Sequence, residues 1–137
     1  MKKTSKGFPI LSFVILLALC ACSKGFSGGT PTPPAEDKLE VKLSAATIET
    51  ALSNSYTFTV NIQSKLPANG VTIKVDVKRE DNAASVYNVQ ASSNFSSNSF
   101  TINPLPSGQI YCAATITITS VNTPTNIWTG TFRVLWK

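Results

Sequence analysis

Four side chains near the middle of the chain carry oxygen atoms of the kind that bind calcium. They are Asp76, Glu80, Asp81 and Asn82. Carboxylate and amide oxygens gathered at a turn can ligate Ca²⁺. Asp76, however, falls on the polar face of a predicted strand among three basic residues, Lys74, Lys78 and Arg79. We therefore favour a solvated charged edge, and we expect neither a metal site nor a cofactor.

A second group of residues could bind sugars through aromatic side chains. The candidates are Trp128, Trp136, Tyr56 and Tyr87. Such rings combine a broad apolar face with a polar edge. Trp128 and Trp136 nevertheless share one face of the last predicted strand with Phe132 and Val134, which is typical of a core stripe. We favour the core interpretation and keep Trp128 and Trp136 as candidate binding residues.

The sequence contains few residues that could support nucleophilic catalysis. The chain contains no histidine, so Ser–His and Cys–His pairs cannot be assembled. Cys112 stands between apolar neighbours, which is typical of a small core residue. Glycoside hydrolysis needs two carboxylates at a defined separation, and no such pair suggests itself. We expect no catalytic residues and no enzymatic activity, with a small metal-dependent enzyme as the less favoured alternative.

The first residues have the organisation of an export signal. Lys2, Lys3 and Lys6 precede a run from 8 to 21 that is apolar apart from Ser12. A membrane-spanning helix needs roughly 20 apolar residues, and this run is shorter. A permanent transmembrane anchor and an ordinary secretory signal are the two alternatives that we disfavour.

The segment Leu19-Cys20-Ala21-Cys22 resembles the lipobox of bacterial lipoproteins. The resemblance implies that residues 1–21 are a signal peptide, cleaved before Cys22. It also implies a diacylglycerol thioether on Cys22 and an acyl chain on its new amino terminus. Two or three such chains give stable membrane attachment, whereas a single chain binds only marginally. Ser23 is not the Asp that retains enterobacterial lipoproteins at the inner membrane, so the outer membrane is favoured.

Processing of this kind changes the charge of the chain. Three of its twelve basic residues lie in the predicted signal peptide, which leaves nine basic against seven acidic side chains. These charges are scattered and form no basic stripe, so we expect no nucleic-acid partner.

Residues 22–38 are predicted to be a tether between the lipidated Cys22 and a folded domain. Glycines are followed by the Pro-rich segment 30–34, a composition that gives a flexible and then extended chain. The chain resembles lipoproteins of the Bacteroidetes. Those lipoproteins that are displayed at the cell surface often carry an acidic cluster directly after the lipidated cysteine. Here the first acids are Glu36 and Asp37. The spacing favours a domain that faces the periplasm over one at the cell surface.

Residues 39–137 form one predicted domain in which apolar and polar residues alternate with period two. This alternation is typical of half-buried strands, and residues of the turn-forming types separate the runs. Seven short antiparallel strands in one domain predict an all-β sandwich of two packed sheets. The predicted runs are 39–43, 56–62, 71–77, 86–91, 99–103, 110–119 and 128–136.

The segment from Leu105 to Tyr111 resembles the start of the sixth strand in fibronectin type III and related immunoglobulin-like domains. The resemblance implies a seven-stranded sandwich in which Tyr111 bonds back to the preceding turn. The apolar residues after Tyr111 fall on the opposite parity. Either a bulge near Ala113 resets the register, or Tyr111 faces outward and is no tyrosine corner. The sequence lacks the paired cysteines of an antibody-type domain.

Together these patterns predict a lipid-anchored protein with a non-enzymatic binding or scaffolding domain. A protein partner is favoured, and a glycan-binding accessory lipoprotein is the alternative. The anchor, the lipid on Cys22, gives the expected location at the outer membrane.

Overall fold

A computed structural model describes residues 35–137 of the chain. The predicted signal peptide 1–21, the lipidation site Cys22 and most of the predicted tether 22–38 lie outside the described residues. Residues 35–137 contain no helix and form eight β-strands. These are β1 (Val41–Leu43), β2 (Ile48–Ala51), β3 (Tyr56–Ile62), β4 (Val71–Arg79), β5 (Ser85–Ser93), β6 (Ser97–Ile102), β7 (Cys112–Ser120) and β8 (Ile127–Trp136).

The strands form two sheets, which confirms the predicted all-β, sandwich-like fold. The first sheet has the order β1-β3-β6 and the second the order β2-β8-β7-β4-β5. All pairs are antiparallel except β2 with β8, which run parallel with Ile48 opposite Arg133. The described residues thus hold one strand more than the predicted seven. The extra strand, β2, shows no apolar alternation, because its two apolar residues, Ile48 and Ala51, stand three positions apart.

The second sheet supplies most of the core through the two central strands β4 and β7. Their inward side chains are fully buried and lie opposite one another in register, as in Ile73 with Ile118 and Val75 with Ile116. Intervening positions such as Lys74 point to the other face. Burial of one such aliphatic side chain contributes about 1.5–3 kcal/mol to stability.

Aromatic side chains join the two sheets at the centre of the sandwich. Phe58 of β3 meets Phe132 of β8 edge to face, with ring centroids 4.9 Å apart. Phe100 of β6, opposite Phe58 within the first sheet, stacks on it with ring centroids 5.8 Å apart. The Phe58–Phe132 contact connects β3 and β8, which lie in different sheets and are not paired with each other, so side-chain packing holds the two sheets together.

The strands run between two ends of the sandwich, which we call the N-terminal pole and the C-terminal pole. The N-terminal pole holds residues 36–40 and the loops 63–70, 94–96 and 121–126, for example through the Leu39 amide bound to the Asn126 side chain. The C-terminal pole holds the loops 52–55, 80–84 and 103–111, where the Leu105 amide donates to Asn54.

Candidate binding surface

Trp128 lies at the N-terminal pole on the face of β8 that meets the core. It stands opposite the buried Ile118 and is itself partly buried. Its indole folds along the strand over Gly130, where an added Cβ would lie only 2.1 Å from the ring. A side chain at position 130 would displace the indole. Gly130, which has no side chain, leaves the space that the Trp128 ring occupies.

Trp136 lies at the other end of the same strand. It is partly buried, packs against the core and stands beside Ala51 of β2. It lies eight residue steps along the strand from Trp128, a distance of about 27 Å. The structure therefore does not bring the two candidate tryptophans together into one aromatic platform.

The two candidate tyrosines are equally dispersed. Tyr56 of β3 packs against Phe132, with ring centroids 5.8 Å apart. Burial, and then the neighbouring Glu49 carboxylate, raises the pKa of Tyr56 to about 12. Tyr87 lies on β5 opposite Val77 and is partly buried. Both tyrosine rings thus serve mainly to extend the core.

The carboxylates considered for calcium are bound by basic side chains or amides. Asp76 lies 3.4 Å from the Lys78 ammonium and accepts a hydrogen bond from the Asn88 amide at 3.0 Å. Asp81 accepts two hydrogen bonds from the Arg79 guanidinium, which lowers the pKa of that carboxyl. Within residues 35–137 no three acidic, cysteine or histidine side chains gather in a metal-binding arrangement.

Glu80 and Tyr111 meet at Arg133 on the outer face of the second sheet. The guanidinium donates to both oxygens of Glu80, at 2.6 and 2.5 Å, and these hydrogen bonds lower the pKa of the carboxyl. The same guanidinium lies over the Tyr111 ring at 4.2 Å. β7 pairs with β4 in unbroken register from Cys112 onward, so no bulge lies near Ala113. Of the two alternatives for Tyr111, the outward-facing one holds.

Cys112 is fully buried at the start of β7. Burial raises the pKa of its thiol, against the opposing influence of the positive Arg79. A protonated, enclosed thiol is a poor nucleophile. Its side chain fills the core opposite Val134.

Sequence reasoning did not identify Asn126, which binds the segment leading into the sandwich. Its side-chain oxygen accepts from the Leu39 amide at 3.0 Å, and its side-chain nitrogen donates to the Asp37 carbonyl at 2.9 Å. The same nitrogen lies 3.4 Å from a Glu36 oxygen. Nothing in the sequence connects positions almost ninety residues apart, although Asn is common in such turns.

Sequence reasoning also missed a long uncharged stretch, residues 82–132. Between Asp81 and Arg133 the sequence contains no Asp, Glu, Lys, Arg or His. This stretch contains β5, β6, β7 and the first six residues of β8. β5 ends the second sheet, β6 ends the first, and a turn of three residues joins them. We call the side of the sandwich formed by β5 and β6 the neutral side.

The turn between β5 and β6 presents Phe95, whose side chain is 74% exposed. Its amide donates to the Ser93 hydroxyl at 3.0 Å, and its carbonyl accepts from the Asn98 side chain at 2.9 Å. The backbone that carries this exposed ring is therefore held on both sides. Leu52, at the C-terminal pole, is 90% exposed.

Among the described residues no helix is long and apolar enough to cross a membrane. Cys22, the predicted lipidation site, lies outside those residues.

No protein-family model matches the chain, and no curated protein matches it. Among solved structures, the fold is similar to that of a superoxide reductase (neelaredoxin, T24K) from Ignicoccus hospitalis, with a TM-score of 0.50. The two sequences are 10% identical, and the match covers 73% of this chain and 82% of that chain. At this identity the similarity concerns the fold alone.

Proposed function

We propose that this protein is a bacterial lipoprotein, anchored in the outer membrane by lipid on Cys22, whose β-sandwich binds a protein partner without catalysis. The lipobox-like segment Leu19–Cys22 supports the anchor. The periplasmic face of the membrane is favoured over the cell surface, because no acidic cluster follows Cys22 directly.

Phe95 is the observation that carries the protein-binding role. Binding energy at protein interfaces concentrates in a few residues, and interface cores are enriched in aromatic and depleted in charged side chains. The Phe95 ring is largely exposed, its backbone is held by Ser93 and Asn98, and it adjoins the neutral side. A held backbone reduces the conformational entropy that is lost when a partner binds.

A glycan-binding role has weaker support. Sugar recognition through stacking would use aromatic rings that are exposed and close together. Trp128 and Trp136 are partly buried in the core at opposite ends of β8. The protein-binding role is therefore the one that the geometry favours.

The place where the chain reaches the sandwich fits a tethered domain. Asn126 binds residues 36–39 at the N-terminal pole. The chain from Cys22 to Ala35 can span at most about 45 Å when extended. A domain held in this way could reach partners at the membrane surface or a short distance from it.

The order of the strands supports a fibronectin type III-like arrangement for the sandwich. In a constant-type immunoglobulin domain, the strand between the third and the fifth joins the sheet of the first two strands. Here the corresponding strand, β5, lies beside β4 in the other sheet. We infer that the domain is closer to the fibronectin type III arrangement, with β2 added beside β8.

The test is site-specific photo-crosslinking in intact cells that produce the full chain. A photoreactive residue replaces the exposed Ser97 beside Phe95, or the exposed Ser53 beside Leu52 as the matched position at the other pole. We expect one protein to be captured from position 97, and its capture to be lost in the Phe95→Ala variant. Equal capture from both positions, no capture, or capture that survives Phe95→Ala would overturn the proposal.

A further inference from the structure

β5 is a long sheet edge that lacks most of the usual protection against pairing. Natural edge strands are commonly blunted by lysine, proline or short length. β5 has nine residues, with neither a proline nor a charged side chain. The edge strands on the other side of the sandwich differ: β1 has three residues and includes Lys42, and β2 has four and includes Glu49.

The edge is also regular over most of its length. The pairing of β5 with β4 is irregular where Val77 faces Tyr87 and Lys78 faces Ser85. From Tyr87 to Ser93 the register is continuous. Every second residue of such an edge directs its N–H and C=O away from the neighbouring strand, where a further strand can bind them.

We propose that this edge pairs with the β5 edge of a second copy of the same chain, in antiparallel orientation about a two-fold axis. The inference rests on the proposed function in one respect, the lipid anchor that holds the copies on one membrane. It goes beyond that function in naming a second copy of the chain as the binding partner of the β5 edge. The pairing would join the two five-stranded sheets into one continuous sheet across both copies.

Charge is the first argument for a second copy. A strand that carried lysine or glutamate would meet its own charges on self-pairing, and like charges directly opposite are destabilising. β5 brings none. Its neutral, strand-forming sequence makes it a suitable partner for itself.

The pattern of side chains is the second argument. Antiparallel pairing centred on Gln90 places Val89 opposite Ala91 of the second copy, and Tyr87 opposite Ser93. Within one copy these four residues share the core-facing side of β5 and are only partly buried. Pairing would bury them further and would keep the exposed residues Asn88, Gln90 and Ser92 on the outer side.

The anchor is the third argument. One pair of strands buries less surface than a stable dimer interface needs, so we expect weak association in dilute solution. Attachment to one membrane raises the effective concentration of the copies. Antiparallel pairing points the two N-terminal poles in opposite directions. A fully extended tether, about 45 Å long, is longer than β8, which is about 34 Å long. Both copies can therefore attach to one bilayer.

Disulfide formation in the membrane fraction of cells producing the full chain tests the pairing. Asn88→Cys, Gln90→Cys and Ser92→Cys are introduced one at a time. Residues directly opposite in an antiparallel pair are close enough for a disulfide. We expect a reducible dimer from the position on the two-fold axis, which is Gln90 in the pairing described above. Thr129→Cys, exposed on β8 of the same sheet, should give none. Absence of the dimer at all three positions, or equal yield at position 129, would overturn the proposal.

A second measurement compares lysine variants of the full chain in detergent by sedimentation at high protein concentration. The double variant Asn88→Lys, Gln90→Lys places like charges in the pairing edge, and we expect association at least about tenfold weaker. The control Thr129→Lys should associate like the unmodified chain. Equal association of the double variant, or an unmodified chain that stays monomeric throughout, would contradict self-pairing. Because Phe95 is unchanged, failure here leaves the capture experiment at position 97 as a separate test of the proposed function.

Discussion

Arg133 and Tyr111, from two neighbouring segments of the second sheet, stack with the guanidinium 4.2 Å from the ring centroid. The same guanidinium binds Glu80 through two nitrogens, and the Glu80 amide donates to the Tyr111 carbonyl at 2.9 Å. The three residues thus form a closed cluster at the C-terminal pole, where β4, β7 and β8 meet. The cluster attaches Glu80, the first residue of the loop 80–84, to the sheet.

Glu80→Gln should reduce stability in a pH-dependent way. The Arg133 hydrogen bonds lower the pKa of Glu80 below its ordinary value of 4.5. The unfolded chain therefore binds a proton more readily than the folded one, and the stabilisation is present above pH 4.5 and lost as the pH falls through the lowered pKa. Urea unfolding of both proteins should show a difference near neutral pH that shrinks as the pH falls below 4.5.

The matched control for this measurement is Glu40→Gln, which removes another exposed carboxylate from the N-terminal pole. It should not reproduce the pH-dependent difference. A Glu80→Gln effect that is constant across the pH range would show that the Arg133 ion pair does not carry it.

Gly130→Ala should displace Trp128. The added methyl would lie 2.1 Å from the indole, so the ring must leave its place or the strand must shift. We expect a loss of about 1–3 kcal/mol in unfolding free energy. In a Trp136→Phe background, Trp128 fluorescence should move to longer wavelength as the ring becomes more exposed. Thr131→Ala, on the opposite face of β8, is the control and should leave the spectrum unchanged.

Asn126→Ala should release the segment that leads into β1. The variant loses the bonds to the Leu39 amide and the Asp37 carbonyl, at a cost of about 1–2 kcal/mol. Hydrogen exchange should accelerate at the Leu39 amide. Asn122→Ala is the control, because Asn122 lies in the same loop but accepts from Asn69 instead. Equal exchange at Leu39 in both variants would argue against the Asn126 contact.

Cys22→Ser should abolish lipid attachment. The lipid is proposed to be joined to the sulfur of this residue, so labelled palmitate should appear in the unmodified chain and be absent from the variant. The variant should also remain unprocessed. Cys20→Ser, two positions earlier, is the control and should be labelled and processed normally. Normal cleavage and release of the Cys22→Ser variant would identify an ordinary secreted protein.

The strands of the core were predictable because their side chains alternate. In β4 and β7 every second residue is apolar, and those residues are the buried ones, for example Val75 and Ile116. The period of two reflects the pleat of a strand and needs no knowledge of its neighbours. β2 lacks this period, and its formation depends on hydrogen bonds with β8.

The positions of the candidate site residues were less predictable. The sequence placed Trp128 and Trp136 on one face of a strand, and the structure agrees. Their distance apart and the cover that Trp128 gives Gly130 depend on strand length and side-chain conformation. The pairing of Glu80 with Arg133 depends on the register of three strands, which local sequence does not encode.

The amino-acid sequence alone determined the alternation that makes this chain an all-β protein, and it determined that no charge lies between Asp81 and Arg133. These are properties of neighbouring residues along the chain. Tertiary structure alone decided that the uncharged β5 is a sheet edge and that Asn126 binds Leu39. Both depend on contacts between distant segments, whose order is set by how the two sheets bury their apolar faces together.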